Sequence, residues 1–512
     1  MSNTVCAPVP VNLAELEALV QRDLQLLNYP PANWVVPRKA APTKSGAQPV
    51  ADVVVIGAGM CGLSAAFALL RRGVRNLRIL DRNPDGFEGP WLSVARMRTL
   101  RSPKHLTGPA QGLPNLTCRA WFEAQWGASA WQDFERLPRT QWMDYLRWYR
   151  SVLDLPVENE VNVRRIVAPQ AGRQAVFTLE LDRSDGVSVA LARKVVIAGG
   201  RDCLGSPRVP EPFEGYYAPQ VTSNELPVAP SQVQHSAEAI DFASMRGRTV
   251  AVIGIGASAM DNAALALESG AAAVHMLVRA AAVPRVNKAK SIVYAGFTEG
   301  FPHLDDAQKL HRLAYIASCR VAPPRHSVLR VASHEAFKVH MDTQVQRVER
   351  EHANLHRLVL HTQRESLTVD HVILATGFGV DLGAAPELVD FHDHIALWRD
   401  CVKPMVGDRE SEFLSFPYLG DAFEFTERNK DLAPYLRDVH CFNYAAAPSH
   451  GNVSGDIPSV SDGAERLANG IVRQFFVDDA QLSWQALQVF DEPELLGDEL
   501  QGVSWWPPLA GS

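Results

Sequence analysis

The chain contains 512 residues, of which 46% are hydrophobic and 21% are charged, and its formal charge is -7 at pH 7. This composition is typical of a globular protein of two or three domains, and it excludes a fibrous repeat or an extended disordered chain. The charges form no basic block, which excludes the electrostatic footprint of a nucleic-acid-binding protein and favours a small-molecule partner.

The seven cysteines are far apart in the sequence and form no CxxC pair. Neither a zinc site nor a neighbouring redox disulfide is predicted, no other metal-ligand spacing is found, and a reducing compartment, the cytoplasm, is expected. The first residues lack the basic start, apolar run and cleavage site of a secretion signal. We interpret residues 1–50 as an N-terminal extension that begins with a short amphipathic helix.

The first predicted unit begins with a run of β-branched residues, Val53 to Ile56. Three glycines at GxGxxG spacing lead from this strand into an alanine-rich helix, and they are Gly57, Gly59 and Gly62. In such a unit the first glycine allows the tight turn, the second lets a pyrophosphate approach the backbone, and the third lets the helix pack on the strand. The apolar stretch up to Leu70 is therefore a strand and a helix, and no membrane span is predicted.

The unit continues as a dinucleotide fingerprint requires. Gly73 is placed to end the helix, and a second strand, Leu77 to Leu80, leads to Asp81, which lies 24 positions after Gly57. An acid at this place binds the ribose hydroxyls of an adenosine. Asp81 and the neighbouring Arg82 are therefore candidate cofactor-binding residues, and the first unit is predicted to bind a dinucleotide.

An aromatic-rich segment follows at residues 121–149. It has two interpretations, the wall of a substrate pocket or one buried face of a helix. Helical spacing favours the second for four of its residues, Trp142, Tyr145, Leu146 and Tyr149. The segment FPYLGDAFEF at residues 416–425 leaves the same two alternatives open, a substrate wall or a packed loop.

A second copy of the unit begins with the predicted strand Thr249 to Ile253. Its turn residues are Gly254, Gly256, Ser258 and Ala259. Gly270 follows Gly254 by 16 positions, and the same offset separates the helix stop from the first glycine in the first unit. The repeat predicts a second dinucleotide-binding turn.

The residue that corresponds to Asp81 in the second unit is Val278, and Arg279 follows it. An acid here would repel a 2′-phosphate, whereas valine removes the repulsion and arginine offers a permanently charged, bidentate partner. The second turn is therefore predicted to prefer NADPH to NADH. Arg285, Lys288 and Lys290 add positive charge nearby, although a solvated basic loop explains those three equally well.

The two units, 197 positions apart at Gly57 and Gly254, are followed by DHVILATGFG at residues 370–379. This arrangement resembles the flavoproteins that have two dinucleotide-binding domains. In that group an ATG segment closes the nucleotide domain and returns the chain to the FAD domain, and Ala375, Thr376 and Gly377 match it here. Residues 195–210 are similar to the exit from the FAD domain, with AGG in place of ATG.

Within that superfamily the chain resembles the class B flavoprotein monooxygenases, which include Baeyer–Villiger, flavin-containing and N-hydroxylating enzymes. Phe213, Gly215, His235 and Ser236 resemble the FxG…H[ST] element before the second fingerprint, which itself has the GxGxSA form. Residues 89–103, with Trp91, are placed like the segment that runs along the flavin. Residues 443–471 resemble the HGLSxxLLSxxAxR stretch of N-hydroxylating members, with Asn452 replacing the leucine and GDIP interrupting the pattern.

The resemblance implies an α/β fold with two Rossmann-like domains. The FAD-binding domain is expected to comprise residues 51–210 and 370–512, and the NADPH-binding domain residues 211–369. FAD would be bound through the three glycines of the first turn, Asp81, Arg82 and Trp91. NADPH would be bound through the second turn, Arg279, Thr376 and Gly377.

The resemblance also implies an FAD- and NADPH-dependent monooxygenase that forms a C4a-(hydro)peroxyflavin with dioxygen. Such an enzyme oxygenates a small organic molecule, here a nitrogen-containing natural product, by N-hydroxylation or by Baeyer–Villiger insertion. Arg279 and His235 are its candidate catalytic residues. Arg279 can stabilise a flavin peroxide or bind the 2′-phosphate, and the register of the fingerprint favours the phosphate.

Two alternatives stay open at this point. A reductase of the same architecture would pass electrons to an acceptor without activating oxygen, although the missing CxxC pair disfavours a disulfide reductase. A nucleotide-sensing module without activity is disfavoured by two intact fingerprints. These motifs do not indicate the substrate or the oligomeric state, and they do not choose among N-hydroxylation, Baeyer–Villiger insertion and carbon or sulfur oxidation.

Overall fold

The structure is a computed structural model that describes residues 12–38, 49–169, 176–201, 203–218, 231–402 and 411–503. Its helices, in chain order, are α1 (Leu13–Leu26), α2 (Met60–Leu70), α3 (Cys118–Gln132), α4 (Arg139–Val152), α5 (Ala257–Glu268), α6 (Ala295–Gly300), α7 (Asp306–Ser318), α8 (Arg325–Ala332), α9 (Trp398–Cys401), α10 (Ala447–His450), α11 (Val460–Asp478) and α12 (Ala480–Val489). Its strands, in chain order, are β1 (Val50–Ile56), β2 (Leu77–Leu80), β3 (Val157–Glu158), β4 (Asn162–Val167), β5 (Phe177–Arg183), β6 (Gly186–Ile197), β7 (Gly205–Pro207), β8 (Val233–His235), β9 (Thr249–Ile253), β10 (Ala273–Leu277), β11 (Phe337–His340), β12 (Val345–Arg350), β13 (Leu358–Thr362), β14 (Ser366–Val369), β15 (His371–Leu374), β16 (Phe378–Val380) and β17 (Val439–Cys441).

The first sheet is built around β1, whose residues Val53, Val54 and Val55 are fully buried. Among the described strands the order is β3-β2-β1-β6-β5-β4, and β17 also pairs with β6. The pairings among β1, β2, β3, β6 and β17 are parallel, whereas β4 and β5 join antiparallel. The carboxyl ends of β1, β2 and β6 therefore meet at one edge, where open α/β sheets bind their ligands.

The second sheet is parallel throughout its described strands, in the order β11-β10-β9-β15-β8. The sequence assigned residues from 370 onward to the FAD domain, but β15 pairs with β9 and lies inside the second sheet. The strand is apolar and mostly buried, so the sheet needs it between β9 and β8. The chain therefore leaves the second sheet only after Leu374. The predicted α/β fold with two Rossmann-like sheets is confirmed.

Each sheet has its own core. The largest cluster of buried apolar residues joins the first sheet to α1, α2, α4 and α11. Two smaller clusters cover opposite faces of the second sheet, because alternate residues of β9 point to opposite sides. Val252 belongs to the cluster beneath α5, and Ala251 belongs to the cluster beneath the antiparallel sheet β12-β13-β14.

The aromatic segment serves packing. The predicted face of α4 is buried at all four positions, Trp142, Tyr145, Leu146 and Tyr149, and the prediction of a buried helix face is confirmed. The Tyr145 and Tyr149 hydroxyls donate to the carbonyls of Leu116 and Pro109, each at 2.9 Å. Of the segment at residues 416–425, Phe416, Phe423 and Phe425 are buried in the same core.

Helices long and apolar enough to cross a membrane are absent from the described parts of the chain.

Candidate active site

The first glycine turn is shaped by backbone contacts that only glycine permits. Gly57 has φ +100°, and a Cβ built there would lie 2.7 Å from the carbonyl oxygen of Ala198, at the end of β6. A Cβ at Gly62 would lie 1.8 Å from the carbonyl oxygen of Gly57. Strand β1, the exit of β6 and the start of α2 are thus pressed together, which is the packing that the GxGxxG spacing predicts.

Gly59 faces open space in the same turn. A Cβ built there would meet nothing closer than the Cα of Gly89, at 3.8 Å. Helix α2 begins at the next residue, Met60, and no side chain caps its first N–H groups. An anion of pyrophosphate size fits in front of a helix start that is free in this way.

Asp81 supports the turn from the end of β2 and is buried. One carboxylate oxygen accepts a hydrogen bond from the Ala58 N–H at 2.7 Å, and the other accepts from the backbone and side-chain nitrogens of Asn83, at 2.8 and 2.9 Å. A carboxylate has about four acceptor positions, so one remains for a ribose hydroxyl. The neighbouring Arg82 is exposed at the surface.

Trp91 lies beside the first turn, and Gly89 stands between the two. A Cβ at Gly89 would stand 3.7 Å from the Trp91 ring and 3.8 Å from the Cα of Gly59. The Trp91 ring also packs edge-on against Trp142, with ring centroids 6.2 Å apart, and its carbonyl oxygen accepts a hydrogen bond from the Arg139 guanidinium. Residues 89–103, which the sequence analysis expected to run along the flavin, therefore adjoin the turn that would hold the FAD.

The second glycine turn repeats this backbone with more room. Gly254 has φ +123°, and a Cβ there would lie 2.6 Å from the carbonyl oxygen of Ala375, at the end of β15. A Cβ at Gly256 would meet nothing within 4 Å. Ala259 is fully buried against the strand, and the Ser258 carbonyl accepts a hydrogen bond from the Asn262 amide at 2.8 Å.

Arg279 stands just after the end of β10, where the first unit has Asp81. Its side chain is exposed, and among the described residues it makes no hydrogen bond or ion pair. The preceding Val278 is buried. A guanidinium without a carboxylate partner beside an open helix start suits a phosphate group. Arg285, Lys288 and Lys290 are the other basic residues near this turn in the sequence. The Lys288 ammonium group lies 5.9 Å from the centroid of the Tyr315 ring.

Thr376 and Gly377 form the turn after β15. The Thr376 hydroxyl donates to the Arg208 carbonyl oxygen, and the Gly377 carbonyl accepts from the Arg208 N–H at 2.9 Å. This turn links the second sheet to the small ribbon of β7 and β16. The two residues therefore sit where the chain passes back toward the first unit.

His235 ends β8 and is fully buried. Its Nδ1 accepts a hydrogen bond from the Ala237 N–H at 3.2 Å, and its ring meets Phe378 edge-on, with centroids 5.5 Å apart. Burial lowers the pKa of His235 to about 4, so the imidazole is neutral at physiological pH. The ring packs beside the Thr376–Gly377 turn through Phe378, and a contact with reacting atoms stays a prediction.

The segment at residues 89–103 bridges the two units, a role that sequence analysis missed. The buried Arg96 guanidinium donates to the carbonyl oxygens of Ser236, at 2.7 Å, and Glu238. Arg98 pairs with Glu268 of α5 at 2.7 Å. The only signal in the sequence was a run of arginines in this segment, and their partners lie more than 130 residues away.

The C-terminal segment, residues 443–459, packs against the first turn. The Cys61 thiol, in the first turn of α2, donates to the Ser454 carbonyl at 3.3 Å. The Ser454 hydroxyl donates to the Asn443 carbonyl at 2.7 Å, and the Asn443 amide donates to the Ile197 carbonyl at 3.2 Å. The partial match at residues 443–471 was the one sequence signal for this packing.

Two adjoining cavities lie against this segment. The first has about 360 Å³ of empty space, partly open to solvent, and separates the segment from residues 289–298 of the second unit. The other has about 310 Å³ and is bordered by Arg201 and Tyr444.

A profile of the family described as pyridine nucleotide-disulphide oxidoreductase matches residues 51–387. An FAD-dependent urate hydroxylase from Xanthomonas campestris pv. campestris is 37% identical over 487 residues, which cover 95% of this chain and 98% of that protein.

Solved structures resemble the fold. The ornithine hydroxylase PvdA from Pseudomonas aeruginosa has a TM-score of 0.61 and 17% identity, covering 83% of this chain and 99% of that one. The ornithine N-hydroxylase KtzI from Kutzneria sp. 744, solved with reduced FAD, NADP⁺ and L-ornithine, has a TM-score of 0.61 and 17% identity, covering 83% and 100%. At this identity the likeness concerns the fold.

Proposed function

Because the chain belongs to the pyridine nucleotide-disulphide oxidoreductase family, we propose that it uses FAD and NADPH to hydroxylate urate or a closely related oxidised purine. The chain is a flavin-dependent monooxygenase. The observation that supports urate as the substrate is the 37% identity to a urate hydroxylase along 95% of the chain. Urate is a nitrogen-rich small molecule. In place of the expected N-hydroxylation or Baeyer–Villiger insertion, we propose the hydroxylation of a purine.

The residues of both turns fit the two cofactors. FAD would be held by the uncapped start of α2, with Gly59 leaving room for the pyrophosphate and Asp81 accepting from the ribose. NADPH would be held at Gly256 and Ser258, with Arg279 binding the 2′-phosphate. When bound, NADPH supplies a hydride and FAD passes its electrons to dioxygen.

The protein's own residues hold the reactants and keep water away. Asn443 and Ser454 tie the C-terminal segment to β6 and to α2, so that this segment covers the cleft. Arg96 joins the loop beside the first turn to the carbonyls that follow His235. The nicotinamide and flavin ends of the two cofactors would thereby be kept at a fixed separation.

We assign the FAD domain to residues 51–210 together with the chain after about Leu374, and the NADPH domain to the residues between. This division moves the expected boundary at residue 370 past β15, because β15 pairs with β9. The described cysteines are free thiols, which fits the expected location in the cytoplasm.

The proposal is tested by coupled turnover. The FAD-loaded protein is mixed with NADPH and air-saturated buffer, and NADPH oxidation, dioxygen uptake, urate loss and hydrogen peroxide are measured together. We expect urate to accelerate NADPH oxidation and to be consumed in proportion to dioxygen, with little peroxide. NADPH oxidation that ignores urate and returns all the dioxygen as peroxide would favour an acceptor reductase of the same architecture.

A matched control uses L-ornithine, which is bound in the structure of the Kutzneria relative. The proposal predicts no acceleration by L-ornithine. Acceleration by L-ornithine and not by urate would replace urate with an amine as the substrate.

A further inference from the structure

The cavity bordered by Arg201 and Tyr444 has the chemistry of a recognition site. Its empty volume is about 310 Å³, including space open to solvent. Its polar border comes from Arg201, Tyr444, Asn452 and Asp456. Two of these residues, Asn452 and Asp456, also border the other cavity, so a ligand here would lie between the C-terminal segment and the exit of β6.

Arg201 provides a cation at the border of this cavity. It follows β6 and Ala198, the residue whose carbonyl contacts the first glycine turn. Its guanidinium carbon lies 5.1 Å from the centroid of the Tyr444 ring. In the described part of the chain, Arg201 has no ion pair within 4.0 Å. The guanidinium lies within cation–π distance of the ring, and its donors remain available for a ligand.

Asp456 supplies the complementary acceptor. Burial raises the pKa of this carboxyl, and the charges of Arg201 and Arg101 act in the opposite direction. Arg101 itself pairs with Asp261 at 3.5 Å. The Asp456 carboxyl and the Asn452 amide therefore border the same space as the Arg201 guanidinium, with donors and acceptors side by side.

We propose that Arg201, Tyr444 and Asp456 form the substrate recognition site, which selects a planar, anionic ring with alternating carbonyl and N–H groups. This inference rests on the proposed function and names the residues that would choose the substrate. Arg201 donates to ring oxygens that carry the negative charge, and Asp456 accepts from a ring N–H. Tyr444 holds the guanidinium by a cation–π contact, which leaves its fork of donors for a bidentate contact with the ligand.

The same charges disfavour an alkylammonium substrate. A primary ammonium group in this cavity would lie near Arg201, and Arg101 is close enough to act on the same carboxyl. Like charges at such a distance raise the cost of binding, while an anionic ring gains from the guanidinium. The site therefore distinguishes urate from the L-ornithine of the Kutzneria structure.

The test combines binding and kinetics. Equilibrium dialysis measures urate and L-ornithine on the FAD-loaded wild type, Arg201→Gln, Arg201→Lys and Asp456→Asn. The control is Arg164→Gln, because Arg164 pairs with Glu180 at 3.0 Å on the first sheet and does not border either cavity. We expect Arg201→Gln to weaken urate binding about 10- to 100-fold, which is the range for a charge-assisted bidentate contact. Arg201→Lys should give an intermediate loss, and the control should bind as the wild type does.

In turnover, the loss should fall on the KM for urate and leave the KM for NADPH unchanged. Unchanged urate binding in Arg201→Gln would overturn the inference. So would the loss of FAD from Arg201→Gln with unchanged urate binding, because Arg201 would then hold the cofactor. Wild-type protein that binds urate through Arg201 without hydroxylating it would refute the proposed function and uphold the recognition site.

Discussion

The first dinucleotide turn is more closely surrounded by the rest of the protein than the second. At the first, Asp81 is bonded to Ala58 and Asn83, and the residues of α2 from Gly62 to Leu70 are all buried. At the second, nothing lies within 4 Å of a Cβ at Gly256, and Arg279 is exposed without a described partner. The two turns share the same backbone path, but the residues around them differ.

This difference matches two kinds of cofactor. A flavin that stays bound through many turnovers needs a site that the fold closes, and α11 packs on α2 to close it. A nicotinamide nucleotide that enters and leaves in each cycle needs an open site with one strong charge. We infer that the first turn retains FAD and that the second exchanges NADPH. Four predictions test this contrast.

The largest effect is expected at the packed glycine of the first turn. In Gly62→Ala the new Cβ would lie 1.8 Å from the carbonyl oxygen of Gly57, so strand and helix must separate. We expect a loss of about 1–3 kcal/mol or more in the free energy of unfolding and loss of FAD. Flavin absorbance and thermal unfolding measure both.

Gly256→Ala is the matched change in the second turn. Its Cβ meets no protein atom within 4 Å, so the protein should fold and keep its FAD. The methyl group would occupy the space reserved for the pyrophosphate, and the KM for NADPH should rise. If Gly256→Ala lost FAD as readily as Gly62→Ala, the contrast between the two turns would be wrong.

The next effect concerns the charge at the second turn. Arg279→Ala should raise the KM for NADPH roughly 10- to 100-fold, because a charge-assisted contact with the 2′-phosphate is lost. The KM for NADH should change far less, since NADH lacks that phosphate. Steady-state kinetics with both nucleotides decide the point, and equal changes in the two KM values would refute the phosphate contact.

A smaller effect is expected where the two units are joined. Arg96→Lys keeps the charge but loses the fork that reaches the carbonyls of Ser236 and Glu238. The rate of flavin reduction by NADPH should fall up to about tenfold while FAD content stays normal. Anaerobic reduction measured with excess NADPH tests this. A normal reduction rate would show that Arg96 stabilises the loop without setting the distance between cofactors.

The smallest effect concerns the core of the first unit. Burial raises the pKa of Asp52, in β1, to about 6. The folded protein therefore holds this proton between about pH 4 and 6 while the unfolded chain releases it, and stability falls as pH rises through this window. Asp52→Asn should raise the Tm at pH 8 and leave it unchanged near pH 4.

Asp370 lies in the second unit, and Asp370→Asn is the control for Asp52→Asn. The Asp370 carboxylate accepts a hydrogen bond from the Thr249 N–H at 2.8 Å and lies near Arg357, so its removal should not stabilise the protein. If the Tm rose equally in both variants, or in neither, the ionised Asp52 carboxylate would not be a specific source of instability.

The sequence predicted the strand boundaries that residues nearby in the chain determine. The strands β2 and β9 begin and end where the apolar runs predict, because each run is bounded by its turn residues. Strand β1 begins earlier, at Val50, because that residue pairs with Leu191 of β6. The pairing partner lies far along the chain, and no local pattern reveals it.

The candidate site was predictable only in part for the same reason. Glycines, Asp81 and Arg279 are local features of two repeated units. The contact of Cys61 with Ser454, the bridge made by Arg96 and the place of Arg201 beside Tyr444 all join distant segments. His235 matched a family element, and only the structure shows that it is fully buried against Phe378.

The most direct test of the central claim follows the oxygen atoms. The FAD-loaded enzyme is supplied with NADPH, urate and ¹⁸O₂, and the product is analysed by mass spectrometry within one turnover. A monooxygenase places one ¹⁸O atom in each product molecule and the other in water, with one NADPH consumed. Product without the label, or label recovered only as hydrogen peroxide, would contradict the monooxygenase account.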